Sequence, residues 1–227
     1  MSVSLDEAVE LTRTGDLWVF RGRSVPDRAI QLTTNSPVNH VGMAVVLDDM
    51  PPLMWHAELG RSLPDLWSGG HQRGVQLHDL ADAVRVWANR YGQRAWLRQL
   101  DPPAGAETEQ AVLRTIARLD GTPFPSTAQL AWRWLRGRLP QLPQPGPDLP
   151  ARAGASGSPR PATVPDRALE TAYCAEVVAV TYEAMGLLPP GRRPNWYDPG
   201  RFWSGDDLGL AGNARLGAEI EVRVPAR

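Results

Sequence analysis

The sequence predicts an α+β protein built on an antiparallel sheet or small barrel packed against helices. Three observations carry this. Two apolar runs of strand length, "HVGMAVVLDD" and "LMWHAE", are separated only by a turn at 48–52, so the second returns beside the first. Amphipathic helical segments stand near the start, in the middle and late in the chain, without the regular strand–helix alternation of a parallel sheet. A short apolar stretch, "AEIEVRV", closes the chain as a further strand.

In order, residues 4–13, "SLDEAVELTR", form a short helix that Ser4 opens, with Glu7 three residues on in a capping-box pattern. Gly15-Asp16 turns the chain into the strand "LWVF", and "DRAIQLTT" has a helical pattern. A strand over 40–47 is stopped by Asp48, Asp49 and two prolines. "VQLHDL" and "AVRVWAN" supply strand or strand-helix material, and "QRAWLRQL" another strand. Residues 107–121 read as the clearest helix, with acids in the first turn, arginines later and Gly121 at the end.

Residues 137–168 are rich in Pro, Gly, Ala and Ser, and bury too little to offset their ordering; the expectation is a mobile loop inside one domain spanning 1–227. A helix follows at 174, where Val177, Val178, Thr181, Tyr182 and Met185 recur at helical spacing, ended by Gly186 and two prolines.

A hydrophobic fraction of 42% and a charged fraction of 22% are those of a globular chain with a core of ordinary size. The formal charge of −1 argues against a general nucleic-acid binder. One cysteine excludes an internal disulfide and suits a reducing compartment. No basic start precedes an apolar run, and no apolar stretch has membrane-spanning length, so the expected location is cytoplasmic.

That cysteine, Cys174, lies in or just before the first turn of its helix, where free N–H groups and the dipole favour a thiolate. Taken alone it reads first as a small buried hydrophobe. A base would change the reading. His40 opens the first apolar strand, and His56 lies inside the next, sixteen residues on; adjacent antiparallel strands bring two such imidazoles within reach. Glu58 shares the strand parity of His56. His71, among glycines, reads as a loop residue, and His78 as solvent-facing.

"TGDLWVFRG", "TTNSPVNHVGMAV", "LMWHAELG" and "YCAEVVAVTYEAMGL", in that order, resemble the circularly permuted papain-like hydrolases of the NlpC superfamily, the YiiX/YaeF type. They are more distantly similar to the lecithin retinol acyltransferase group. The resemblance covers the chain except 137–168. It departs at Asn39, where the family has Ser, and at Ala175, which follows the cysteine where the family has Ser.

The resemblance implies a permuted papain-like fold with the nucleophile at a helix N-terminus. It implies a thiol hydrolase of amidase or peptidase type, working through a thioester without a cofactor. Cys174 would be the nucleophile and His40 the base. His56 is the third member in the acyltransferase pattern, and Glu58 is the alternative. Tyr173 and Asn39 are oxyanion or cleft candidates. Residues 120–127, "DGTPFPST", resemble a cleft-lining segment, and Trp196, Tyr197, Phe202 and Trp203 form a candidate apolar wall.

The expected partner is a small-molecule, peptide or lipid acyl substrate, with no nucleic acid and no transmembrane segment. Other readings of the same residues are an acyltransferase or lipid-ester hydrolase, a non-catalytic acyl- or peptide-binding module, and a zinc site of His40, His56 and Cys174. The last lacks the closely spaced ligand pairs usual for zinc.

Overall fold

The computed structural model describes residues 2–22, 37–58, 61–123, 174–204 and 208–226. The helical reading of "DRAIQLTT", the loop at 137–168, most of the 120–127 segment and Tyr173 lie outside these residues.

The chain begins with β1 (Ser2–Ser4) and α1 (Leu5–Leu11). The capping box is present: the Glu7 N–H donates to Ser4 Oγ at 3.2 Å, and the Ser4 N–H to Glu7 Oε2 at 2.8 Å. Then come β2 (Leu17–Arg21), β3 (His40–Val45), β4 (Leu53–Glu58) and β5 (Gly74–Asp79). Next are α2 (Leu80–Tyr91), β6 (Arg94–Arg98), β7 (Leu100–Asp101) and α3 (Ala106–Leu119). The described chain resumes at α4 (Cys174–Ala184), passes two 3-10 turns, Pro194–Trp196 and Pro199–Phe202, and ends with β8 (Arg215–Leu216) and β9 (Ile220–Arg223).

Seven strands form one sheet in the order β1-β9-β6-β2-β3-β4-β5. Every pairing in it is antiparallel except that of β1 with β9. The architecture is α+β, as the patterning predicts. Strand β1 has no counterpart in the sequence reading. Three residues carry no periodicity, and the strand exists because the far end of the chain arrives beside it.

Each face of the sheet has its own apolar cluster. On one, Trp18, Phe20, Ala44 and Met54 pack against Leu5 and Ala8 of α1 and Leu80, Ala83, Val84 and Trp87 of α2. These four α2 residues follow 3.6-residue spacing, which is why the helix lies flat on the strands. On the other face, Leu17, Val19, Val41, Met43, Leu53, Trp55 and Leu77 meet Cys174, Ala175, Val177 and Val178 of α4, and Val112 and Ile116 of α3.

Two buried bonds fix α4 here. The Trp55 indole N–H donates to Thr181 Oγ1 at 3.1 Å, and the Tyr182 hydroxyl to the Gly15 carbonyl at 2.6 Å. Gly186, at φ +74°, ends the helix in the left-handed conformation that its lack of a Cβ permits. Asp16, beside Gly15, is fully buried; its carboxylate accepts from the N–H groups of Leu100 and Arg13, each at 2.8 Å, so the "GD" turn is a structural joint. Among the described residues no helix is long and apolar enough to cross a membrane.

Candidate functional site

The histidines are placed by strand register. Strand β3 pairs with β4 at Met43↔Trp55, Ala44↔Met54 and Val45↔Leu53, and β4 with β5 through Met54↔His78 and His56↔Gln76. Side chains alternate faces along a strand, so His40, Gly42, His56, Glu58, Gln76 and His78 all stand on the α1/α2 face. At Gly42 a Cβ would collide with Met54 and lie 3.3 Å from the His56 Cβ; glycine lets the two histidine-bearing strands close up there.

The imidazoles form a row. His40 Nε2 lies 3.0 Å from His56 Nδ1, His56 Nε2 lies 3.1 Å from His78 Nδ1, and His78 Nε2 lies 3.1 Å from Gln76 Oε1. A neutral imidazole donates at one nitrogen and accepts at the other. With the Gln76 oxygen as terminal acceptor, His78, His56 and His40 each donate from Nε2, which leaves His40 Nδ1 with a free lone pair. This tautomer chain is an assignment from the network.

Trp87 of α2 roofs the row, its ring centroid 5.0 Å from that of His40 and 4.9 Å from that of His56. Burial, reinforced by the neighbouring imidazoles, keeps the row neutral. His40 is brought down to about 3 by desolvation and then by the nearby His78, and His56 lies well below its usual value. His78 is brought down to about 4, again by desolvation first.

His78 corrects the sequence reading. It is fully buried, not solvent-facing, because α2 turns back over β5 immediately after Asp79. His71 is exposed in its loop, with Nδ1 3.0 Å from the Arg61 carbonyl oxygen.

Glu58 ends β4 beside this row. It is 6% exposed, and burial pushes its carboxyl up to about 7, offset in part by a bond from the Trp87 indole; its Oε1 has no partner among the described residues. Ligand atoms from His56, Glu58 and His78 all lie within 4.8 Å of one another.

Cys174 is the first residue of α4 and packs on the opposite face, in the cluster with Val41. The β3–β4 ladder stops at Met43↔Trp55. The next rung would join Val41 to Ala57. Instead the Val41 N–H is directed at the Cys174 sulfur, as is the N–H of Ala175. The thiol therefore sits at the level where β3 and β4 part, one residue from His40. No hydrogen bond joins Cys174 to His40 among the described residues.

The helix-start position leads one to expect an acidic thiol, and here burial overrides it: at 1% exposure the thiol is pushed up to about 12. The dipole and N–H groups act against that burial and are outweighed.

The remaining candidates have structural roles. Asn39 is buried and its Oδ1 accepts from the Gly22 N–H at 2.6 Å, shaping the entry to β3. Tyr197 and Phe202 are buried in the α4-face core, with ring centroids 6.2 Å apart, and Trp203 stands edge-on to Trp96 at 5.3 Å. Trp196 lies beneath the Arg192 guanidinium at 4.1 Å. The sequence reading missed Gln76 and Trp87, although the spacing of Leu80, Ala83, Val84 and Trp87 marks the latter as inward-facing.

No family model matches the chain, and no curated protein does. Five solved chains match. One is the crystal structure of the metalloprotein yiiX from Escherichia coli O157:H7, DUF1105, at 20% identity and TM-score 0.45. The match covers 76% of this chain and 65% of that one.

Proposed function

We propose that this chain is a thiol hydrolase of the permuted papain-like type, with Cys174 as nucleophile, His40 as base and His56 as the residue that orients the base. One observation carries the reading: the Cys174 sulfur takes the place of a β3–β4 rung beside His40, whose imidazole is already bonded to His56 at 3.0 Å.

The reaction follows from those positions. In the resting arrangement the His40 ring lies on the histidine face. A shift at the open end of the ladder that keeps the Nε2 bond to His56 brings the free His40 Nδ1 to the sulfur, a tightening that catalytic pairs often reserve for the substrate complex. His40 takes the thiol proton and the thiolate attacks an acyl carbonyl. The imidazolium then protonates the departing amine or alcohol, leaving a thioester. Water, deprotonated by His40, hydrolyses the thioester; an acceptor alcohol or amine in its place makes the same site an acyltransferase. N–H groups at the α4 start supply the oxyanion donors. His56 holds the ring and shares the imidazolium charge along the row.

Exposure to an activated acyl probe, followed by intact-mass measurement and peptide mapping, tests this. Wild-type protein acquires one acyl group on Cys174. Cys174→Ser keeps its fold and acquires none. His56→Ala slows acylation by about 10² or more, the scale of general acid–base effects, and Glu58→Ala by less than about tenfold. An adduct whose rate is indifferent to His40→Ala would sink the thiol–imidazole pair. A reversed ranking of the His56 and Glu58 variants would make Glu58 the orienting group.

A further inference from the structure

The geometry points to a second chemical function on the histidine face: we propose that His56, Glu58 and His78 are the protein ligands of a divalent transition-metal site of the zinc class. The site shares His56 with the thiol reading, and Cys174 is not a ligand in it.

The donor set is two imidazoles and a carboxylate, the combination that holds zinc while leaving a fourth position open. One ligand atom from each residue falls within 4.8 Å of the other two, so a small displacement gathers them around one ion. His56 Nε2 and His78 Nδ1 already face each other at 3.1 Å, whereas two nitrogens bound to tetrahedral zinc stand about 3.3 Å apart for a metal–nitrogen bond of about 2.05 Å. A metal ion taking both nitrogens moves the His56 proton from Nε2 to Nδ1, where it donates to His40 Nε2.

Each of these imidazoles also has an outer partner on its far nitrogen: Gln76 Oε1 for His78 and the His40 ring for His56. Ligating histidines commonly use such partners to fix their orientation. Glu58 supplies the independent sign of a missing ligand. Its Oε1 is buried and has no hydrogen-bond partner among the described residues, a costly arrangement for a carboxyl group that a cation would relieve. No cationic side chain of the described residues is paired with Glu58.

The test uses the full chain, stripped with a chelator and then titrated with Zn²⁺ by calorimetry and with Co²⁺ by visible absorption. One equivalent binds, and the thermal midpoint rises with metal. Glu58→Gln and His78→Ala each weaken binding by about tenfold or more, whereas His71→Ala, in the exposed loop, and Cys174→Ser leave it unchanged. X-ray absorption of the zinc-loaded wild type gives nitrogen and oxygen scatterers only, a reading that does not depend on any variant folding. Failure of the wild type to bind, binding indifferent to both ligand variants, or a sulfur scatterer would each overturn the site. The acylation assay on Cys174, run on metal-free protein, stands or falls separately.

Discussion

The two faces of the central sheet hold different chemistry within a few residues of each other. The α4 face is mostly aliphatic and aromatic, and the Cys174 sulfur on it is buried and held protonated by that burial. The α1/α2 face carries three histidines and a carboxyl group under a tryptophan roof. Period-2 alternation assigns the side chains: Val41 and Met43 belong to one chemistry, His40 and Gly42 to the other. A thiol and its candidate base can thus be neighbours in the chain fold while a backbone stands between them. The lesson is that proximity of motifs settles less than the parity of the strands that bear them.

Acid breaks this comparison most strongly, because the histidine row stands on one face. A histidine whose folded pKa is depressed contributes stability that is fully present above the unfolded value near 6.5. That contribution is lost as pH falls toward the folded values, about 3 for His40 and about 4 for His78. Glu58 acts in the opposite sense: its raised pKa contributes fully below the unfolded 4.5, and the contribution is lost as pH rises through about 7. From pH 7 to 5 the three depressed histidines act against the raised carboxyls of Glu58, Asp16 and Asp120, and the expected outcome is a net loss of stability. Urea titrations of metal-free protein across that window measure it. A flat profile would mean that the row is wet and ordinary.

A smaller effect sharpens the other side. Thr181→Val strands the buried Trp55 indole N–H and costs about 1–3 kcal/mol by urea midpoint. The change is confined to the aliphatic face, so the acid slope should stay as in wild type. A steeper slope would show the faces to be coupled through β4.

The smallest expected change is at the edge of both. Ser4→Ala removes the α1 cap and costs about 1 kcal/mol, read as a lower thermal midpoint with acylation and metal uptake unaltered. Loss of either activity would mean that α1 does more than cover its face.

Much of the frame was legible in the sequence because it depends on local signals. Ser4 and Glu7 give the cap, "HVGMAVVLDD" and "LMWHAE" the hairpin, and Gly186 the end of α4. The His40–His56 contact was legible too, since two strands and a turn set it. His78 was not. "VQLHDL" alternates like a half-exposed strand, and only the return of α2 across it, a tertiary event, buries the imidazole. The acidity of Cys174 was misjudged for a related reason: a helix start is visible in sequence, but the depth of the sulfur depends on Val41 and the packing around it.

The interrupted ladder has a mechanical consequence. From Met43 back to His40, β3 stays paired with β2 at Gly42, Val41 and His40, and meets a weak N–H to sulfur bond on its other side. It is held along one edge, like a leaf on its hinge. Bending it moves the His40 ring and the sulfur relative to each other while the rungs at Met43, Ala44 and Val45 stay made. Compliance is thus concentrated in two residues at the boundary between the faces, and the cores above and below need not repack when that end flexes.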